Sequence, residues 1–483
     1  MKNYIYILTI FTVTIVGCSD KLDLYPLTQT TEGTFYKNEV EIQQAVDDIY
    51  RQFGIIYNGT NLPARFGEQY SDNTYILLAG GANNYNEQIT DYFIQTNNGL
   101  INSAWDNCYK TIFICNNVVH QLENTSVEIE ESKIDRMKGQ AILIRALTYF
   151  NMVRVWGDVP YIDKKITPAE SYDYIRVDKE TIYQNLISDL NYCKQVLPEA
   201  WTGNDIGRVT KYGAAGVLAK VYLTVGEKEK AKSELELIIN SNRYSLDAND
   251  DGNIDFDDFR FIFSPETKNC KSSVLEVQYM AGENAMNANH QNAYTPFHWA
   301  FHLPGSNENF RGLGIMTPTD DLKNEFESGD PRLEISIYPG YEDLETGVFV
   351  DYPFTMKFYD PNWEYPGQNF EIIRYADILL MYAEVTDDPQ YLNMVRERVG
   401  MPAFGSDDYP SDKYPTLALA IEHERRIELC FEFHRFFDLL RTNRAIEVMG
   451  SKGYSINENK LLFPIPLNAI DVNPELTQNP GYN

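Results

Sequence analysis

A mainly α-helical fold, made of paired helices with one loop-rich interruption, is what this sequence predicts, and three observations carry the prediction. Apolar residues recur at helical spacing along much of the chain. Ile142, Ala146, Tyr149, Phe150 and Val153 stand at i, i+4, i+7, i+8 and i+11 and so share one helix face. Stop signals fall where such runs end, with Gly157 and Pro160 after the first, Pro198 after Ile182, Leu186, Leu190, Cys193 and Leu197, and Gly226 after Ala214, Leu218, Val221, Tyr222 and Val225. Finally, 43% apolar and 23% charged residues in a chain of 483 are enough for a sizeable core.

The N-terminus reads as an address. Residues 1–17 have a basic start at Lys2, an apolar stretch from Tyr4 to Val16 and Gly17 directly before Cys18, the pattern of a signal peptide too short for a comfortable membrane span. Thr14-Ile15-Val16-Gly17-Cys18 resembles the bacterial lipobox, which makes Cys18 the expected acylated N-terminus of the mature chain. Residues 18–38 are then a tether, 39–240 an N-terminal helical domain, and 241–483 a C-terminal domain. Five other cysteines, at 108, 115, 193, 270 and 430, form neither a disulfide framework nor a CxxC metal pattern.

Lys plus Arg total 41 against 70 Asp plus Glu, a net charge of −29. A field of that sign repels phosphate, so nucleic acid is excluded as a partner. The 34 Tyr, 25 Phe and 5 Trp are numerous enough for some rings to work at a surface, although rings also fill cores.

Within the helical part, Leu218, Ala219, Tyr222, Ala231 and Leu235 stand at the offsets of a tetratricopeptide helix-turn-helix with Gly226 in the turn. Small residues there let two helices approach closely, and helix pairs from about 40 to 240 give a stacked scaffold. From 245 to 370 the texture changes to Asn, Gly, Pro and aromatics with short strand-like pieces such as 274–279, the kind of region in which function lives. Helical spacing returns at Ile373, Ala376, Leu380 and Ala383 and again from Ala418 to Arg441. In that last stretch Glu422–Arg426, Glu432–Arg435, Arg435–Asp438 and Asp438–Arg441 have the spacing of intrahelical ion pairs.

Several blocks together resemble the SusD/RagB family of outer-membrane nutrient-binding lipoproteins. They are Gly139-Gln140-Ala141 with Arg145 to Phe150 and Gly157-Asp158-Val159-Pro160, then Gly207 to Lys211 with Ala219 to Leu223. Ile373 to Glu384, Glu424 to Leu429, Arg435 to Arg441 and the closing Asn473-Pro474 and Gln478 to Tyr482 complete the set. The resemblance implies a SusD-like α-α superhelix supporting an irregular binding face, oligosaccharide as ligand, no catalysis, and attachment to the outer membrane facing the exterior. It also implies a partner, a TonB-dependent barrel of the SusC type.

Two constellations carry chemistry. Asp247, Asn249, Asp251, Asn253, Asp255 and Asp258 occupy alternate and terminal positions of a twelve-residue loop with Gly252 sixth, the grammar of a Ca2+ loop with Asp258 in place of the usual Glu. For glycan recognition, flat rings must meet sugar C–H faces beside amides and carboxylates. Tyr294, His298 and Trp299, flanked by Phe297, Phe301, His302 and several Asn, form one candidate cluster, Trp363 and Tyr365 a second, and Tyr70, Asn73, Tyr75 and Tyr85 a third. Trp105 and Trp156, on helical runs, belong to the core.

His298 and His302 have zinc-protease spacing, but Trp299 stands where a catalytic Glu is needed, and no Gly-x-Ser-x-Gly or Walker loop occurs. A glycan hydrolase is the enzymatic rival, because the separation of two carboxylates belongs to the fold rather than the sequence. A peptide-binding member of the same family is the other.

Overall fold

The computed structural model describes residues 35–77, 84–297, 301–302, 309–310 and 312–482. The first part is a run of helices: α1 (Glu39–Ile56), a π-helix (Ala64–Gln69), α2 (Asn84–Thr90), α3 (Gly99–Glu123), α4 (Glu131–Trp156), α5 (Lys179–Val196), α6 (Lys211–Thr224) and α7 (Lys228–Ile239). The starts of α1, α5 and α6 are capped by side chains of the kind that satisfy free amides at a helix N-terminus. Asn38 accepts from Glu41 N at 3.0 Å, Asp178 from Thr181 N at 2.8 Å and Thr210 from Gly213 N at 3.1 Å. Gly157 (φ 71°) ends α4 and Gly226 (φ 81°) turns the chain from α6 to α7, both in the left-handed region that a side chain disfavours.

Neighbours pack in sequence, α3 on α4, α4 on α5, α5 on α6 and α6 on α7, with α1 against α3 and α4. The α6–α7 pair is the predicted tetratricopeptide-like unit. Leu218, Ala219, Ala231 and Leu235 are fully buried, and the two alanines give the small contact surface that lets helices approach.

The second part is less regular. It contains α8 (Phe256–Ile262), α9 (His290–Tyr294), α10 (Asp320–Glu325) and α11 (Leu333–Ser336), then the longer α12 (Tyr375–Thr386), α13 (Pro389–Arg398) and α14 (Leu417–Glu428), and last α15 (Arg435–Arg441), α16 (Ala445–Ser451) and α17 (Leu467–Val472). α12 packs on α7, so the stack continues across the loop-rich interruption into the C-terminal half. Hydrophobic residues from Ile42 to Ile465 belong to one continuous core.

The strands are short: β1 (Thr74–Tyr75), β2 (Val159–Pro160), β3 (Arg176–Val177), β4 (Ser273–Val277), β5 (Phe301–His302), β6 (Asn309–Phe310), β7 (Thr317–Pro318), β8 (Tyr338–Glu342), β9 (Phe349–Phe354) and β10 (Phe370–Arg374). They pair antiparallel as β1–β7, β2–β3, β4–β10, β5–β6 and β8–β9. The mainly helical prediction with a few short strands therefore matches the fold.

The charges of 422–441 depart from the predicted local pairing. Of the four helical pairs expected there, Asp438–Arg441 forms, at 2.9 Å. Glu422 instead meets Arg444 at 2.9 Å, Arg426 meets Asp321 at 2.6 Å, Arg435 meets Asp72 at 2.8 Å, and Glu432 meets Arg374 at 2.7 Å and Lys357 at 2.9 Å. The Arg435–Asp72 pair and the pairs of Glu432 are buried between elements far apart in sequence, where contact with a distant partner replaces the water that a surface pair would keep.

Candidate functional site

The loop-rich region builds an aromatic face from the β8–β9 hairpin, beside the long-range β1–β7 pairing. In the β8–β9 hairpin Tyr338 lies opposite Phe354 and Tyr341 opposite Val350. Alternation along β9 turns Tyr352 and Phe354 to one side, where with Tyr341 they form a small core separate from the main one. Tyr338, Val350, Met356, Tyr359 and Trp363 pack half-buried on it. Tyr338 and Phe354 have ring centroids 5.3 Å apart, and Tyr341 and Tyr352 6.4 Å, separations typical of favourable ring pairs.

Tyr75 joins this cluster from the other end of the chain, because β1 pairs with β7 in the register Tyr75↔Thr317 and β7 packs on β9. Its ring is half-buried, and partial burial together with nearby Asp320, Tyr352 and Asp351 raises its phenol pKa. Gly314 (φ 59°) makes the junction possible, since a Cβ there would lie 2.3 Å from the Tyr352 hydroxyl. Phe297, Val348 and Phe349 are exposed at the margins, 40%, 60% and 58% respectively. Half-buried rings with their edges anchored and acidic groups alongside can stack on sugar rings and accept bonds from hydroxyls.

The sequence-derived candidates divide. Trp363 packs on this cluster and Tyr75 lies near its Tyr352. Tyr85 is 43% exposed but sits on α2, its ring over Gly99. His298 and Trp299 lie outside the described residues. Tyr294 is a correction: it is fully buried, stacks on Phe358 with centroids 5.5 Å apart, and donates its hydroxyl to Phe431 O at 3.1 Å. One turn of helix turns that ring into the main core. Tyr70 and Asn73 are likewise buried, Asn73 Oδ1 accepting from Arg426 Nε at 3.0 Å. Trp105 and Trp156 are core residues as expected, in an edge-to-face pair 5.0 Å apart.

Sequence reading missed Tyr338, Tyr341, Tyr352 and Phe354. Their signal was present as two aromatic-rich stretches of strand length, with Tyr352 and Phe354 two residues apart on one face.

The acidic loop folds as a chain of carboxylate and amide caps. Asp247 accepts from Asp251 N at 3.1 Å and Gly252 N at 3.0 Å, Asn249 from Asp251 N at 3.0 Å, and Asp251 from Asn253 N at 2.8 Å. Asp258, expected as the last calcium ligand, is fully buried. Its two oxygens take Ala248 N at 2.7 Å and Asp255 N at 3.0 Å, completing a capping box with Asp255 at the start of α8. Among the described residues no group of three or more His, Cys, Asp or Glu stands together as a metal site. A cation here would have to draw these oxygens away from the amides they now cap. Cys108, Cys115, Cys193, Cys270 and Cys430 are free thiols, as their spacing predicted.

Comparison with known proteins agrees with the fold. A family model described as "Starch-binding associating with outer membrane" matches residues 22–223, and one described as "SusD family" matches residues 336–482. SusD-like protein P2 of Formosa agariphila is 25% identical over an alignment that covers all of both chains. A solved structure of a laminarin binding SusD-like protein is 25% identical, with TM-score 0.79 over 92% of this chain and all of that one. Surface glycan-binding protein A from Bacteroides thetaiotaomicron, solved in complex with laminarihexaose, has the same fold at 21% identity and TM-score 0.74, over 92% of this chain and 99% of that one. With family models matching both halves and the fold shared along nearly the whole length, the chain belongs to the SusD/RagB family.

Proposed function

We propose that this protein, anchored in the outer membrane by a lipid on Cys18, captures an oligosaccharide on the aromatic face and passes it to a TonB-dependent outer-membrane barrel of the SusC type. One observation carries the binding part: Tyr75 and Trp363, 288 residues apart in sequence, converge on the cluster around Tyr352. The laminarin-binding relative supports glycan as the cargo. The role is binding without catalysis. Calorimetric titration with laminarihexaose and with a panel of other oligosaccharides tests it, and Trp363→Ala should weaken the preferred sugar by at least about tenfold, the scale of one lost ring contact. Binding to peptides alone would favour the peptide-carrying alternative, and turnover of any glycan would favour the hydrolase. Co-purification of the barrel from membranes, and mass spectrometry of the lipid on Cys18, test the partner and the anchor.

For the acidic loop we propose Ca2+ as the ligand of Asp247, Asn249, Asp251, Asn253 and Asp255, with Asp258 drawn from its cap to complete the set. The support is the loop's ligand grammar and its sharp turn at Gly252 (φ 90°). Added Ca2+ should raise Tm in the native protein and not in an Asp247→Ala/Asp251→Ala double variant. Equal melting with Ca2+ and with EDTA would show that the loop works without the ion.

A further inference from the structure

On the helical scaffold, a cavity of about 450 Å3 opens between the end of α4, the first turns of α5, the end of α6, and α15. It is of a size that holds small molecules. Arg154 lines it, a cation with no carboxylate paired to it among the described residues. Its guanidinium carbon lies 3.9 Å from the centroid of the Phe150 ring and 3.6 Å from that of Phe437. Nε donates to Phe150 O at 3.2 Å and one terminal nitrogen to Asn151 Oδ1 at 2.6 Å, both neutral acceptors.

The carboxylate that acts on Arg154 is Asp438, which is already held by Arg425 at 2.8 Å and Arg441 at 2.9 Å. Burial, with too little opposing charge, pulls the guanidinium pKa down to about 10. In a chain of net charge −29, where most buried arginines are matched by carboxylates, this one is compensated by ring faces and neutral oxygens.

The rest of the lining supplies further donors. The Tyr183 ring is buried, and its hydroxyl has no hydrogen-bond partner among the described residues. Gln184 and Lys179 stand at the mouth, with Glu180 3.8 Å from the Lys179 ammonium and Glu227 paired to Lys230 at 3.3 Å. Leu440, Val225 and Leu462 provide apolar wall.

We propose that this cavity is a second binding site, separate from the aromatic face, for a small organic anion whose carboxylate or sulfate group is held by Arg154 and Tyr183. An oxyanion is what a guanidinium with free N–H groups recognises best, and it would supply the missing counterion.

The test is titration with sodium glucuronate and with sodium sulfate, read by thermal shift and calorimetry, against glucose in sodium chloride at equal ionic strength. Saturable stabilisation by glucuronate or by sulfate, at least tenfold weaker in Arg154→Met and unchanged in Trp363→Ala, is the expected result. A response to glucuronate alone assigns the site to carboxylates, and a response to sulfate alone to sulfate esters. If Arg154→Met does not fold, Tyr183→Phe decides, since it keeps the ring and removes only the hydroxyl: a threefold or greater loss supports the site and unchanged affinity overturns it. No response to either anion beyond chloride, or a response that survives in folded Arg154→Met, overturns the proposal.

Discussion

His423 lies between two carboxylates, its Nδ1 2.9 Å from Glu325 Oε1 and its Nε2 2.9 Å from Glu327 Oε1, with the Tyr414 ring stacked at 3.8 Å. Burial alone would lower its pKa, but the hydrogen bonds to the two glutamates overcome that and leave it raised above 6.5. Burial works the other way on the glutamates and is again outweighed: the hydrogen bond from His423 and the nearby charge of Arg426 hold Glu325 well below the carboxylate range, and hydrogen bonds from His423 and Arg396 bring Glu327 to about 2. A raised histidine stabilises the fold below its unfolded value of 6.5 and loses that contribution as pH rises through the folded value. Lowered glutamates stabilise above 4.5 and lose theirs as pH falls. Stability from this trio should therefore peak between pH 4.5 and 6.5 and decline on the alkaline side, and His423→Gln should flatten the alkaline decline in Tm measured against pH. An identical alkaline limb in the variant would contradict the assignment. None of this was legible in the sequence, because Glu325 and His423 are 98 residues apart and nothing local marks them as partners.

At the scale of elements, helical periodicity was readable because it is a local property: residues at i, i+4 and i+7 share a face whatever the rest of the chain does. Thus the runs through Tyr149, Leu190 and Leu218 are the buried faces of α4, α5 and α6. The π-helix at 64–69 was not readable, since it is set by a distant segment. A Cβ on Gly67 would lie 2.1 Å from Phe433 O, and Phe431 and Phe433 both adopt φ 67° to bring their backbone there. Gly67→Ala should cost about 3 kcal/mol or more, because the obstructing atom is backbone that cannot rotate aside. Denaturant unfolding checks it, and a loss under 1 kcal/mol would mean that the two segments separate easily. The aromatic face was legible only in part for a similar reason. Tyr294 and Trp363 both lie in aromatic, polar surroundings in the sequence, and what separates them is that α9 turns Tyr294 onto Phe358 while Trp363 packs at the edge of the β8–β9 cluster.

For the whole molecule, a buried charge network ties the halves of the C-terminal region into one body. Glu428, fully buried, receives Arg332 at 3.0 Å, Arg374 at 2.8 Å and Arg398 at 2.7 Å, and Arg332 also meets Asp330 at 2.7 Å. Removing one member leaves the others charged in a dry interior, so Glu428→Gln should lower unfolding free energy by about 3–5 kcal/mol. A loss within 1 kcal/mol would show that the guanidiniums find other acceptors. This network ties β10 to α14 through Arg374 and Glu428, and a support tied together in this way lets a surface ring be pre-placed for a ligand rather than ordered by it. On the proposed reading, Tyr75 and Trp363 act as one preformed surface for sugar rings. Its most direct test is calorimetry on the Tyr75→Ala/Trp363→Ala double variant with the oligosaccharide the native protein binds best. Binding should fall by at least about a hundredfold with Tm little changed, and wild-type affinity in a folded double variant would rule out a shared surface.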